Sequence, residues 1–213
     1  MNVLQALGKQ LLVPVIKLES ADSATPLAET LLANGLPVAE VTFRTAAAGQ
    51  SIRNISRDVP DVLLGAGTVL TVDQVKEAVD AGAAFIVTPG FNPAVVDYCV
   101  KQQIPITPGI NNPTGVEAAL ARGLSVVKFF PAEASGGVKM LKAMSAPYGE
   151  VRYVPTGGIG AANLGDYLAL PAVLAVGGSW MVPSDKISAA DFEAVARLVR
   201  EAVNLAQSLR PAD

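Results

Sequence analysis

The chain has no histidine and a single cysteine, Cys99, among its 213 residues. Without histidine there can be no His-dependent triad, no His metal site and no imidazole base. One cysteine can neither close an intramolecular disulfide nor build a Cys-rich zinc site. Acid–base chemistry is therefore left to carboxylate, lysine, tyrosine, cysteine or water. No metal is expected and no cofactor.

Charge is also scarce. Charged residues make up 16%, with 16 Lys and Arg against 19 Asp and Glu, for a net charge of −3. There is no basic run or stripe, so no nucleic-acid partner is expected. Long apolar runs are missing too, although mean hydropathy is +0.40. The longest are about four to six residues, far short of the ~18 that span a bilayer. The segment Met1–Gln10 lacks an apolar core with a small-residue cleavage site, so neither a signal peptide nor a membrane partner is expected. A cytoplasmic location is the default expectation.

The sequence does have apolar residues in quantity, at 51%, which excludes disorder and is ample for a sizeable core. Eight short β-branched runs recur about every 20–27 residues: Leu11–Leu18, Val38–Phe43, Leu63–Val69, Phe85–Pro89, Pro105–Ile110, Val126–Pro131, Arg152–Ile159 and Val173–Val182. Segments with helical periodicity lie between them. Val75, Val79 and Gly82 sit at i, i+4 and i+7, with Thr71 or Asp73 placed to start that helix. From Asp191 to Leu209, a single face carries Phe192, Val195, Val199, Val203 and Ala206. The strands read as buried runs, as expected where helices cover a parallel sheet. Eight such units without a linker imply one α/β domain over residues 1–213, a (β/α)8 TIM barrel. A doubly wound open sheet is the runner-up. It would usually place a glycine-rich turn after the first strand, where this chain has Lys17-Leu18-Glu19-Ser20.

In a barrel, active-site groups sit at the C-terminal ends of the strands. Lys128 is flanked by apolar strand formers in Val126-Val127-Lys128-Phe129-Phe130-Pro131. An ammonium brought into an apolar interior is disfavoured in its charged form, and an uncharged amine is what attacks a carbonyl to form a Schiff base. The plain alternative is a buried lysine paired with a carboxylate. Lys17 is a weaker rival, with Glu19 as a surface partner. On the second strand, the period of two puts Glu40, Thr42 and Arg44 on the face opposite Val41 and Phe43. A carboxylate and a guanidinium then face the axis, as a proton shuttle and a carboxylate binder, or else as a structural pair. Gly65-Ala66-Gly67-Thr68 ends the third strand with a hydroxyl beside two glycines. These glycines admit a close approach or only accommodate curvature. Thr156-Gly157-Gly158-Ile159 and Gly177-Gly178-Ser179 close the last two strands, where many barrels cradle phosphate. Cys99 reads as core or helix surface, and Asn111-Asn112-Pro113 as a turn and helix cap.

Five ordered motifs, Glu40-Val-Thr-Phe-Arg44-Thr, Gly65-Ala-Gly-Thr68-Val-Leu, Lys128-Phe-Phe-Pro-Ala-Glu133, Pro155-Thr-Gly-Gly-Ile159 and Gly177-Gly-Ser-Trp180, resemble the 2-keto-3-deoxy-6-phosphogluconate and 4-hydroxy-2-oxoglutarate aldolase family over nearly the whole chain. The resemblance implies a metal-independent class I aldolase, usually a homotrimer, acting on a phosphorylated 2-keto-3-deoxy sugar acid. It assigns Lys128 as the Schiff-base lysine and Glu40 as the acid–base group. Arg44 and Thr68 are placed on the pyruvate part, with Pro89, Phe130 and Thr156 also against substrate. Gly157, Gly158, Gly178 and Ser179 are placed on the phosphate. The Asn111-Asn112-Pro113-Thr114 turn departs from a more Ser/Thr-rich pattern, and Phe43 stands where leucine is frequent. Two other functions are weighed beside this one. They are an aldolase or oxaloacetate decarboxylase preferring unphosphorylated 2-keto acids, and a catalytically silent barrel that binds a phosphorylated metabolite.

Overall fold

A computed structural model describes residues 3–210. Nine parallel strands are present among them: β1 Leu12–Ile16, β2 Val38–Thr42, β3 Leu63–Gly67, β4 Phe85–Val87, β5 Ile106–Thr107, β6 Gly109–Ile110, β7 Val126–Phe129, β8 Arg152–Pro155 and β9 Val176–Gly178. The helices are α1 Val3–Gln10, α2 Ala24–Ala33, α3 Ala48–Asp58, α4 Val72–Asp80, α5 Pro93–Lys101, α6 Pro113–Leu120, α7 Gly137–Ser145, α8 Leu164–Leu168, α9 Ser184–Ser188 and α10 Phe192–Leu209.

Two sheets, ordered β5-β4-β3-β2-β1-β9 and β6-β7-β8, join into one barrel. β5 and β6 are a single stave interrupted at Pro108, which has no N–H to give to the ladder. Its carbonyl still accepts from Lys128 N at 2.9 Å. The other seam is closed by parallel bridges, Tyr153 to Val173 and Thr156 to Gly177. The result is the expected (β/α)8 barrel of eight staves.

The strands are shorter than the apolar runs that announce them. Leu11–Leu18 yields Leu12–Ile16, and Val173–Val182 yields Val176–Gly178. Leu18 and Val182 pack in the outer core beyond the strand ends, and Val173 makes only the isolated bridge to Tyr153. Helix starts follow the expected chemistry. The Thr71 hydroxyl caps α4 by accepting from Gln74 N, and Asn112 caps α6 ahead of Pro113. Asp191 caps α10, which therefore begins at Phe192. One face needs correction. On α4 the buried residues are Val75 and Ala78, whereas Val79 is 38% exposed. The stripe follows the i, i+3 neighbour, so Val79 turns outward.

Two cores result from the alternation of side chains along each strand. The larger lies between barrel and helices and includes Ile16, Val41, Ile86, Val127 and Tyr153. The smaller fills the barrel axis with Val13, Val38, Phe85, Val87, Val126, Val154 and Ala175, and Leu7 of α1 packs with them. Phe85 fits because Gly65 opposite it has no side chain. A Cβ there would lie 2.2 Å from the Phe85 ring. Gly65→Ala should therefore overpack the axis and lower stability by about 1–3 kcal/mol in urea unfolding. Adding Phe85→Leu should recover part of that loss. Wild-type stability of the alanine variant would contradict this packing.

Candidate active site

The axial alternation that fills the barrel's lower half with valine and phenylalanine places Glu40 and Lys128 in the same interior. Lys128 Nζ donates to Glu40 Oε1 at 3.3 Å, and the two side chains are only 6% and 4% exposed. Glu40 needs Gly67 beside it, since a Cβ on Gly67 would lie 2.2 Å from Glu40 Oε1. The two glycines of the third strand thus have separate tasks. Gly65 admits Phe85, and Gly67 admits the carboxylate. The lysine has an aromatic face on another side, with the Phe130 ring centroid 5.2 Å from Nζ.

Glu40 and Arg44 do not form the structural pair. Arg44 lies at the exposed rim, where its Nε donates to Thr42 Oγ1 at 2.9 Å. Thr42 is buried and donates in turn to the Ile16 carbonyl at 2.7 Å. The threonine thus ties the guanidinium to β1, and among the described residues no carboxylate pairs with it. That leaves the guanidinium available for an anion. The weaker candidate, Lys17, pairs with Glu19 at 2.5 Å on the surface.

Thr68 follows β3 with φ +55°. A β-branched residue in the left-handed region is strained by about 1–3 kcal/mol and is characteristic of functional sites. The hydrogen bonds Phe43 N to Gly67 O at 2.8 Å and Val69 N to Val87 O at 3.2 Å hold the segment on either side. A cleft of about 420 Å³ is lined by Pro89, Ile110, Asn111, Asn112, Phe130 and Pro131 among others, and Glu40, Arg44, Thr68 and Lys128 are not in its lining. Asn111 and Asn112 thus line this cleft, and Asn112 Nδ2 donates to Asn111 Oδ1.

The glycine loops emerge side by side, because Thr156 bridges to Gly177. Gly177 is required at that crossing, since a Cβ would meet Thr156 Oγ1 at 2.3 Å. Gly157 and Gly158 have φ +102° and +79°, which favours glycine. Asn163 braces their loop, accepting from Gly160 N and donating to Gly158 O. Ser179 is exposed just beyond Gly178. Sequence reasoning missed the support beneath this loop. Glu133 backs Gly158 and accepts from the Tyr167 hydroxyl. The Glu133 side chain was visible only as a letter in the lysine's motif, and its partner comes from α8, 34 residues away.

Other titratable groups do not compete with the central pair. Cys99 is fully buried on α5, and burial pushes its thiol up to about 11. The phenol of Tyr153, in the outer core, is pushed up to about 12 by burial. Burial and the bond to Glu133 push Tyr167 up as well. Among the described residues, no group of three or more His, Cys, Asp or Glu is arranged to hold a metal ion.

Fold and site define a (β/α)8 barrel with a buried amine–carboxylate pair on its axis, an anion-ready arginine at its rim and paired-glycine loops beside it. Residues 3–198 match the KDPG and KHG aldolase family, and the chain belongs to that family. It is 51% identical to the 2-dehydro-3-deoxy-phosphogluconate aldolase of Haemophilus influenzae over 96% of each chain. It is 46% identical to the KHG/KDPG aldolase of Escherichia coli K12 over 90% of each. In three dimensions it is similar to the KDPG aldolase of Legionella pneumophila, with a TM-score of 0.91 and 38% identity, covering 94% of this chain and 98% of that one. That structure holds pyruvate as a covalent carbinolamine.

Thr68→Gly tests the strained position. Releasing the left-handed strain offsets the extra chain entropy of glycine, so Tm should stay within about 4 °C of wild type, the worth of about 1 kcal/mol at this size. A larger fall would mean that the Thr68 side chain supports the fold.

Proposed function

We propose that this chain is a class I aldolase that cleaves 2-dehydro-3-deoxy-6-phosphogluconate to pyruvate and glyceraldehyde 3-phosphate, and also cleaves 4-hydroxy-2-oxoglutarate to pyruvate and glyoxylate. The observation that carries this reading is the Lys128–Glu40 pair, 3.3 Å apart in an apolar barrel axis. The family, the names of its relatives and the covalent pyruvate of the Legionella enzyme all support it.

Attack requires a lone pair on Nζ, so an ammonium must first give up a proton, and Glu40 is the group in reach. The amine adds to the C2 carbonyl of the keto acid, and Glu40 returns its proton to the carbinolamine hydroxyl, which leaves as water to give a protonated iminium and a carboxylate ready to act again. Glu40, directly or through one water, then takes the C4 hydroxyl proton. The C3–C4 electron pair moves into the iminium, releasing the aldehyde and leaving an enamine. Glu40 returns a proton to C3, and water hydrolyses the iminium to free pyruvate and Lys128. Arg44, held by Thr42, binds the substrate carboxylate bidentately, with Thr68 as a second donor. Pro89 and Phe130 line the cleft for the carbon chain, and Thr156 is placed for a substrate hydroxyl. Gly157, Gly158, Gly178 and Ser179 take the phosphate. Neither loop contains a cation, so backbone N–H groups and the serine hydroxyl supply the attraction. No metal or cofactor enters any step.

A cytoplasmic homotrimer completes the proposal. Among the described residues, no helix is long and apolar enough to cross a membrane. Leu70, Val79 and Val100 are exposed apolar side chains on the β3–α4–α5 side, surface that association would cover.

Cleavage assays on both substrates test the reading. Glu40→Gln keeps the shape but removes the base, and kcat should fall roughly 10²–10⁴-fold for both. Ser179→Asp should lower kcat/KM by at least about tenfold for the phosphorylated substrate only, from a lost hydrogen bond and like-charge repulsion. Exhaustive chelation should leave activity intact. Near-wild-type turnover by Glu40→Gln, or loss on chelation that magnesium restores, would overturn the mechanism. Equal losses on both substrates in Ser179→Asp would put the phosphate elsewhere.

A further inference from the structure

Three buried side-chain oxygens lack a hydrogen-bond partner among the described residues: Ser51 Oγ, Thr107 Oγ1 and Tyr153 Oη. Ser51 belongs to α3, and Tyr153 packs in the outer core, away from the axis. Thr107 is different. Its neighbour Ile106 belongs to the outer core, so strand alternation turns Thr107 inward. The residue is 2% exposed and lines an axial void of about 10 Å³ together with Glu40, Lys128, Leu7, Phe85 and Val154.

That void is close to the smallest that holds one water molecule. An apolar void of this size stays dry, but this wall presents a carboxylate, an amine and a hydroxyl. A buried water typically has two to four polar partners. A buried hydroxyl without a partner in a native fold is explained by a water or ion where the site is polar, and a wall with a hydroxyl donor and a carboxylate acceptor suits water.

We infer that one enclosed water occupies this void, accepting from Thr107 Oγ1 and donating to the Glu40 carboxylate, and that Thr107 is a positioning residue for the Glu40–Lys128 pair. The inference rests on the reading of that pair given above. Leu7, Val13, Phe85, Val87 and Val154 make up the apolar part of the void's wall, so the polar partners of a water there are Thr107, Glu40 and Lys128. Its use follows from the chemistry. Once Nζ is bonded to carbon it keeps a single N–H, whose direction the substrate fixes, so Glu40 has fewer donors to hold it in place. A water anchored by Thr107 keeps one donor on the carboxylate throughout, which preserves its aim at C3 and at the C4 hydroxyl.

Exchange of the pyruvate C3 protons in heavy water, followed by proton NMR, reads iminium formation at Lys128 and proton transfer by Glu40 without the aldehyde half of the reaction. Thr107→Val keeps the shape and removes the hydroxyl. Exchange turnover should fall about tenfold, the worth of one hydrogen bond to a charged group, with KM for pyruvate within about twofold. Thr107→Ser should restore exchange to within about threefold. A high-resolution crystal structure should show the enclosed water in the wild type and lose it in Thr107→Val. Wild-type exchange by Thr107→Val, a Thr107→Ser variant as slow as Thr107→Val, or a dry void in the wild type would each overturn the inference. Failure of the wild type to exchange at all would instead overturn the aldolase reading, and the crystallographic water would still decide the site.

Discussion

Placing an amine and a carboxylate 3.3 Å apart inside an apolar barrel is the demand that the rest of this structure accommodates. Two such groups lose hydration when buried, and their mutual attraction repays it only where geometry and further hydrogen bonds are good. Removing one partner from such a pair typically costs about 3–5 kcal/mol, because the other is left uncompensated. The pair is therefore poor material for stability alone, and the surroundings fit its use in chemistry. Gly67 gives up a side chain so that Glu40 fits, and Phe130 supplies an aromatic face to the lysine. Thr42 diverts Arg44 to the rim, where it leaves the carboxylate free for the lysine.

The barrel divides this labour along its axis. Below the pair, Leu7, Val13, Val38 and Phe85 pack together on the axis, and that half supplies cohesion. At the C-terminal end the backbone is held in less comfortable states, with Thr68 at φ +55° and two successive glycines at positive φ. Leu11 and Gln103, ahead of β1 and β5, share a positive φ with Thr68, so of these positions only Thr68 joins such a backbone to the rim beside Arg44. The paired-glycine loop after β8 shows a division of its own. Gly157 and Gly158 provide the backbone shape, whereas Glu133, Tyr167 and Asn163 hold it from behind.

Much of this was legible in the residues. The lysine among apolar strand formers, the alternation of Glu40, Thr42 and Arg44, and the glycine pairs after the last two strands each carry a local physical signal. The caps at Thr71 and Asn112 did so as well. What was not legible depends on the third dimension. Strand ends could not be separated from apolar loops, because both bury the same residue types. The outward turn of Val79 depends on which neighbour α4 meets. Whether Glu40 would pair with Arg44 or Lys128 was open, since the two lie four and 88 residues away and only barrel closure selects the distant one. Thr107 gave no sign at all, because a threonine in a strand is ordinary until the void beside it is seen.

The central claim is that the Lys128 amine forms the covalent bond to the keto acid. Incubation with pyruvate and borohydride, followed by peptide mass spectrometry, reads this directly. The account predicts one reduced pyruvate adduct per chain, on the peptide that contains Lys128, and none in Lys128→Arg, whose guanidinium stays protonated and cannot attack. An adduct on Lys17, or no adduct on the wild-type protein, would contradict it.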